Sequence, residues 1–229
     1  MLPFMNSNMN ISENLKTIKS QIPQDVTLVA VSKTKPISAI QEAYNAGQRI
    51  FGENKVQEMV EKQEKLPEDI KWHMIGHLQR NKVKYMASFV DLIHGVDNFK
   101  LLKEINKQAS NNKRVINCLL QLKIASEDSK FGMTPEEVGP ILQSPAFSEL
   151  QHINIVGFMG MATFTDDQEQ IKSEFDTLKT TFEKMKTIKS TNCNLHIISM
   201  GMSGDYPLAI RCGSTMIRVG SSIFGARNY

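Results

Sequence analysis

Over 229 residues the chain repeats one pattern eight times: a short apolar, often β-branched run, then a stretch with helical spacing. The runs lie at 27–33, 49–54, 71–76, 90–96, 115–124, 153–161, 195–200 and 216–220. Several are apolar on both faces instead of alternating, as the strands of a parallel sheet covered by helices are. Between them, residues 37–46, a charged stretch ending at Leu66 before Pro67, and residues 81–89, 98–110, 167–189 and 205–210 read as helices. Thr134, Pro135 and Glu137 open another, with cap, first position and N3 each occupied by a favoured residue. An amphipathic helix over 7–20, with Ile11, Leu15 and Ile18 on one face, precedes the first strand. Eight such units predict a single domain over residues 1–229 folded as a (β/α)8 TIM barrel; a doubly wound sheet normally needs fewer units. No glycine-rich dinucleotide fingerprint follows the first strand, which disfavours the Rossmann alternative further.

The first strand ends in a lysine. Thr27 to Val31 runs through Ser32 into Lys33, and Pro36 cannot continue a ladder, so the strand stops near Lys33. Alternation places Val29 and Val31 on the face that Lys33 shares. An amine rooted in valines loses solvation, which lowers its pKa and makes it a nucleophile toward aldehydes and ketones. A strand-end lysine that snorkels to water fits this stretch equally well.

Charge and cysteine content narrow the function classes. The 27 basic and 24 acidic residues nearly balance, for a net charge of +3, and the lysines are scattered among acids. That disfavours a nucleic-acid surface and leaves a small anionic ligand open. Cys118, Cys193 and Cys212 lack metal-type spacing and read as reduced core thiols. The first residues lack a basic segment followed by an apolar one, and no apolar run approaches the ~20 residues of a membrane span. A cytoplasmic monomer with no membrane or nucleic-acid partner is expected.

In a barrel the carboxyl ends of all strands converge on one mouth, where chemistry sits. Those ends carry Lys33, Asn54, His73 or Ile75, His94, Lys123, Met159, Ser199 and Arg218. Two adjacent ends continue into small-residue loops suited to an anion, residues 199–205 and 219–225, and the loops after strands 7 and 8 are the usual phosphate site of this fold. Each loop alone also reads as a helix cap with glycine for the turn. A desolvated lysine facing two such loops describes a site for pyridoxal 5′-phosphate (PLP), with Lys33 forming the imine and strands 7 and 8 holding the phosphate. Arg218, just before the second loop, is placed to reach the pyridine nitrogen; arginine stays protonated, so the ring nitrogen would remain unprotonated and aminotransferase chemistry is disfavoured. An ordinary salt bridge is the alternative for Arg218. His73 and His77 are read as hydrogen-bonding mouth residues without a third metal ligand, and His94, His152 and His196 as structural. Lys35 and Lys130 are further amines near the opening, better read as solvated loop lysines.

Six segments in register, residues 30–36, 51–54, 72–82, 157–161, 199–205 and 218–227, closely resemble the pyridoxal phosphate homeostasis protein family, and the similarity runs from about residue 10 to the last residue. The resemblance implies a fold like the alanine racemase N-terminal barrel, PLP carried covalently on Lys33, Arg218 at the ring nitrogen, Asn54 beside the ring, and phosphate contacts from Ser199, Gly201, Gly220 and Ser221. It implies a role in buffering PLP or delivering it to apo PLP-dependent enzymes, with no established catalysis. The competing expectation is an amino-acid racemase. Racemisation needs two bases on opposite faces of the ring; Lys33 serves one face, and in alanine racemases the second comes from a further domain and partner subunit, whereas this chain ends at Tyr229.

Overall fold

The computed structural model describes residues 10–126, 131–188 and 190–226. Its eight strands are β1 (Thr27–Val31), β2 (Ile50–Glu53), β3 (Lys71–Met74), β4 (Leu92–Val96), β5 (Ile116–Gln121), β6 (Ile153–Met159), β7 (Cys193–Ser199) and β8 (Met216–Val219). They pair in sequence order, all parallel, and β8 closes on β1 with Val29 opposite Arg218, so the expected TIM barrel is the observed architecture. Around it lie α1 (Ile11–Gln21), α2 (Ile37–Asn45), α3 (Val56–Gln63), α4 (Phe99–Asn111), α5 (Pro135–Leu142), α6 (Pro145–Ser148), α7 (Gln168–Met185), α8 (Tyr206–Arg211) and α9 (Ser221–Phe224).

Strand alternation divides the buried apolar residues between two compartments. Leu28, Ala30, Phe51, Trp72, Met74, Ile93 and their equivalents face outward into one cluster shared with the helices. Val29, Leu92, Leu119, Val156, Met159 and Met216 face inward and fill the barrel. Above that apolar plug the inward positions turn polar: His73, His94, Ser199 and Arg218 are all buried. A polar layer under a barrel's carboxyl ends locates the site before any ligand is considered.

Several boundaries differ from the sequence expectation. The first strand stops at Val31, because the chain turns at Lys33–Thr34 with Thr34 at φ 64°. Residues 81–89 do not form an α-helix; Arg80–Tyr85 is a 3-10 segment. Its downstream carbonyls at Ala87 and Val90 accept from the Arg114 guanidinium, 2.8 Å each, so a non-local cation satisfies groups that a continuing helix would have bonded itself. α1 begins at Ile11, where the Asn10 side chain accepts from Glu13 N–H at 3.1 Å; residues 7–9 and Lys189, ends of two expected helices, lie outside the described residues. Among the described residues no helix is long and apolar enough to cross a membrane.

Candidate functional site

Lys33 stands partly buried in the turn two residues beyond β1. That turn is held from below. Ser32 Oγ donates to Glu53 Oε1 at 2.5 Å, the Ser32 carbonyl accepts from Lys62 Nζ at 2.8 Å, and Thr34 N–H donates to Glu58 Oε1 at 2.6 Å. Left-handed backbone is costly for a β-branched residue, roughly 1–3 kcal/mol, and persists only when its surroundings over-determine it. The clamp does that here. Lys62 Nζ also bonds Glu53 Oε1 at 2.7 Å and Glu58 Oε1 at 2.6 Å, so its donors meet two carboxylates and one carbonyl. Glu53 is fully buried with Oε2 unpartnered, and burial is the main reason its carboxyl is pushed above the usual range, against the pull of Lys62.

Lys35 is tied up differently. Its Nζ donates to the carbonyls of Phe224, Gly225 and Ala226 at 3.0, 3.1 and 3.2 Å, fastening the β1 loop to the end of α9. The three donors of an ammonium match three carbonyls at one site and three acceptors around Lys62 at the other. Lys130, the other amine expected near the opening, lies outside the described residues.

Beside β1 in the closed barrel, β8 carries Arg218 and β7 carries Ser199. Arg218 is buried and donates through Nη1 to Ser199 Oγ at 2.5 Å and through Nη2 to the Gly160 carbonyl at 3.1 Å. Burial lowers its pKa to about 10, which leaves the guanidinium charged at neutral pH. These hydrogen bonds go to a hydroxyl and a carbonyl, and Asp205, the cap of α8, lies near enough to add a favourable charge. The Ser199 hydroxyl is fully buried and also pairs with His94 Nδ1 at 3.1 Å. In this arrangement the hydroxyl is engaged by Arg218 and His94.

What faces outward between these strands is the two loops. Gly201, at φ 98°, could not carry a side chain, since a Cβ would stand 2.7 Å from the Ala209 methyl; its carbonyl accepts from Arg218 N–H at 2.9 Å. Ser203 Oγ accepts from Gly220 N–H at 3.2 Å and so joins the loops. Met202 N–H is bound by Asp205 Oδ1 and is thereby occupied. Ser221 and Ser222 are exposed at the start of α9, where first-turn amides have no intrahelical acceptor. Asn54 follows β2, partly buried, with Gly76 packed so closely that a Cβ there would lie 2.5 Å from the Asn54 carbonyl.

The histidines divide unlike the expectation. His73 is no mouth residue: it is 2% exposed and bonds His94. His94, read as a structural residue from the sequence, shares the Ser199 hydroxyl directly beneath the site. Burial holds both imidazoles below the usual histidine range, His94 well below, helped there by the nearby His73 and Arg218. His77 does sit on the rim, stacked on Phe131 at 4.1 Å and 3.2 Å from Asp97. No group of three metal-ligating side chains occurs among the described residues. Sequence reasoning missed Ser203, Glu53, Glu58 and Lys62. The Glu58–Lys62 pair, four residues apart on one helix, was the available signal, but it reads identically on a solvated face.

Known proteins share this fold. Residues 7–228 match the family described as alanine racemase, N-terminal domain. The pyridoxal phosphate homeostasis protein of Haemophilus influenzae is 41% identical over 234 residues, covering 96% of this chain and 98% of that one. The Escherichia coli K12 protein of the same name is 36% identical with the same coverage. Among solved structures, PipY of Synechococcus elongatus with PLP bound superposes with a TM-score of 0.84 at 37% identity, over 94% of this chain and all of that one. An alanine racemase of Clostridium difficile, 15% identical with a TM-score of 0.76 over 96% of this chain and 56% of its own, shares the fold. The chain belongs to the pyridoxal phosphate homeostasis proteins, a family built on the alanine racemase N-terminal domain.

Proposed function

We propose that this protein binds PLP at the barrel mouth, with Lys33 as its covalent anchor, and serves intracellular PLP homeostasis as a carrier that buffers the cofactor and delivers it to apo PLP-dependent enzymes. The donor set fits the group: an amine for its aldehyde, a buried donor-only guanidinium for its ring nitrogen, and two small-residue loops for its phosphate. When bound, PLP supplies an aldehyde with which an amine condenses with loss of water. Lys33 is the amine for that step, and the clamp on Ser32 and Thr34 fixes where it stands. The observation that carries the reading is the PLP-bound structure of PipY, 37% identical to this chain, together with the position of Lys33 at the carboxyl end of β1.

Arg218 meets the pyridine nitrogen, and Asn54 lies beside the ring. The phosphate is held by Gly220, Ser221 and the loop backbone around Gly201. At the ring nitrogen Arg218 offers a hydrogen bond and keeps its own proton, which leaves the ring a weaker electron sink than an acidic partner would. Lys33 can hold or move a proton at the α-carbon on one face of the ring. Exchange without net chemistry follows. The work is done in the cytoplasm by a monomer, with no nucleic acid or membrane involved.

The test titrates the protein with PLP and follows the visible absorption of the bound cofactor, then adds L-alanine in deuterium oxide. Lys33→Ala should lose the absorption and keep its cooperative melting. The loaded protein should reactivate an apo PLP-dependent enzyme and form D-alanine no faster than free PLP does. D-alanine at enzymatic rates, abolished by Lys33→Ala, would replace the carrier with a racemase.

A further inference from the structure

Beneath the mouth a line of side chains crosses the barrel interior from one rim toward the other. Asp91, just before β4 at the amino-terminal rim, has its Oδ2 3.4 Å from His73 Nε2. His73 Nδ1 is 3.0 Å from His94 Nε2, His94 Nδ1 is 3.1 Å from Ser199 Oγ, and Ser199 Oγ accepts from Arg218 Nη1. The side chain of Asp91 is 45% exposed, while the other four residues are buried.

The two ends fix the direction of every hydrogen bond. A guanidinium only donates, and a carboxylate only accepts. Ser199 Oγ accepts from Arg218, so its own proton points to His94 Nδ1. His94 then carries its proton on Nε2 and donates to His73 Nδ1. His73 in turn carries its proton on Nε2 and donates to Asp91. Both imidazoles must be neutral and in the Nε2–H form. A reversed or protonated His94 would aim a second donor at the Ser199 oxygen and take away the acceptor for the hydroxyl's own proton.

We infer that His94 and His73, anchored by Asp91, are positioning residues that hold Arg218 in its cofactor-facing pose through a one-way chain of hydrogen bonds. The chain sets the ring-nitrogen contact without touching the ring. This rests on the PLP reading for its consequence, although the chain itself does not. In a protein interior a fully satisfied network fixes one arrangement, and a half-satisfied one is worse than none. Met216, Leu92 and the other apolar residues of the inner cluster offer these polar atoms no substitute partner. The other terminal nitrogen of Arg218 is held by the Gly160 carbonyl, and Asp205 adds a favourable charge that does not fix the Nη1 direction.

Histidine-labelled full-length protein, with and without PLP, decides the first half by nitrogen NMR. Two imidazoles with protonated Nε2 and bare Nδ1 are expected in both samples; an Nδ1–H or doubly protonated form at neutral pH for either residue overturns the chain. The second half compares His94→Gln, which keeps one acceptor and one donor, with His94→Leu, which keeps neither. His94→Leu should weaken PLP and unphosphorylated pyridoxal by the same factor, about tenfold or more, as for a lost hydrogen bond at a charged group, and shift the absorption maximum of the bound cofactor. His94→Gln should restore most of both. Correct tautomers with unchanged affinity and spectrum in His94→Leu would refute the positioning role while leaving PLP binding intact. Should His94→Leu fail to fold, Asp91→Ala is read instead: it releases His73 at the far end, so PLP and pyridoxal should weaken by the same factor, and unchanged affinity and spectrum would refute the positioning role. Wild-type protein that takes up no PLP would count against the carrier reading, and the tautomers would still be measurable.

Discussion

The two walls of the mouth are built on opposite electrostatic plans. On the β1–β2 side the reactive turn rests on charge: Lys62 between two carboxylates, one of them fully buried. On the β7–β8 side Arg218 is held by a hydroxyl and a carbonyl, with the Asp205 charge nearby and two buried imidazoles behind the hydroxyl. A strained turn at Thr34 needs strong local bonds to stay put, and charge-assisted hydrogen bonds are roughly twice as strong as neutral ones. Arg218, by contrast, is bonded by neutral groups, and the Asp205 charge beside it favours its charged form.

The comparison is easiest to break at Lys62. Lys62→Met leaves Glu53 buried without its cation, and removing one member of a buried pair costs about 3 to 5 kcal/mol. Urea denaturation should show a loss of that size at neutral pH, smaller in acid where Glu53 takes up a proton, together with slower covalent capture of PLP. A loss below about 1 kcal/mol would mean that the pair is as dispensable as a surface one.

The next effect separates the two serines. Ser221→Ala should weaken PLP by about tenfold to a hundredfold, the cost of a hydrogen bond to a charged group, and leave pyridoxal nearly unaffected. Ser199→Ala should weaken both ligands alike, because its hydroxyl serves Arg218. A phosphate-selective loss in Ser199→Ala would return that hydroxyl to the phosphate.

The smallest effect is the dependence of stability on pH, and here the walls respond with opposite sign. His73 and His94 have folded pKa values below the unfolded value of about 6.5, so the unfolded chain binds more protons once pH drops under that value. Their contribution is complete above about pH 6.5 and is lost as pH falls toward the depressed values. Glu53 is raised above 4.5, so its folded form binds more protons and stability increases as pH falls through the raised value toward 4.5. Melting curves of wild type and Glu53→Gln between neutral and mildly acid pH should diverge accordingly. Parallel curves would contradict the assignment.

Much of this was legible in the sequence, for physical reasons that also mark where legibility stops. Parallel strands announce themselves as apolar runs, and their carboxyl ends can be counted off, which brings Lys33, Asn54, Ser199 and Arg218 to one mouth. What an end residue bonds to depends on other strands. The role of Ser199 is set by His94, 105 positions away, and the turn at Ser32 by Lys62, 30 positions away. The 3-10 segment at Arg80–Tyr85 is a similar case, since Arg114 supplies its missing partner from another unit of the barrel. Local spacing has no access to such pairings.

The central claim is that one amine of three neighbours takes the cofactor, and the most direct measurement is peptide mapping after borohydride reduction of the PLP-loaded protein. Reduction should place the label on the peptide containing Lys33, at that residue, with Lys35 and Lys62 unlabelled. Label on Lys35 or Lys62 in the wild-type protein, or no stable label at all, would contradict the account.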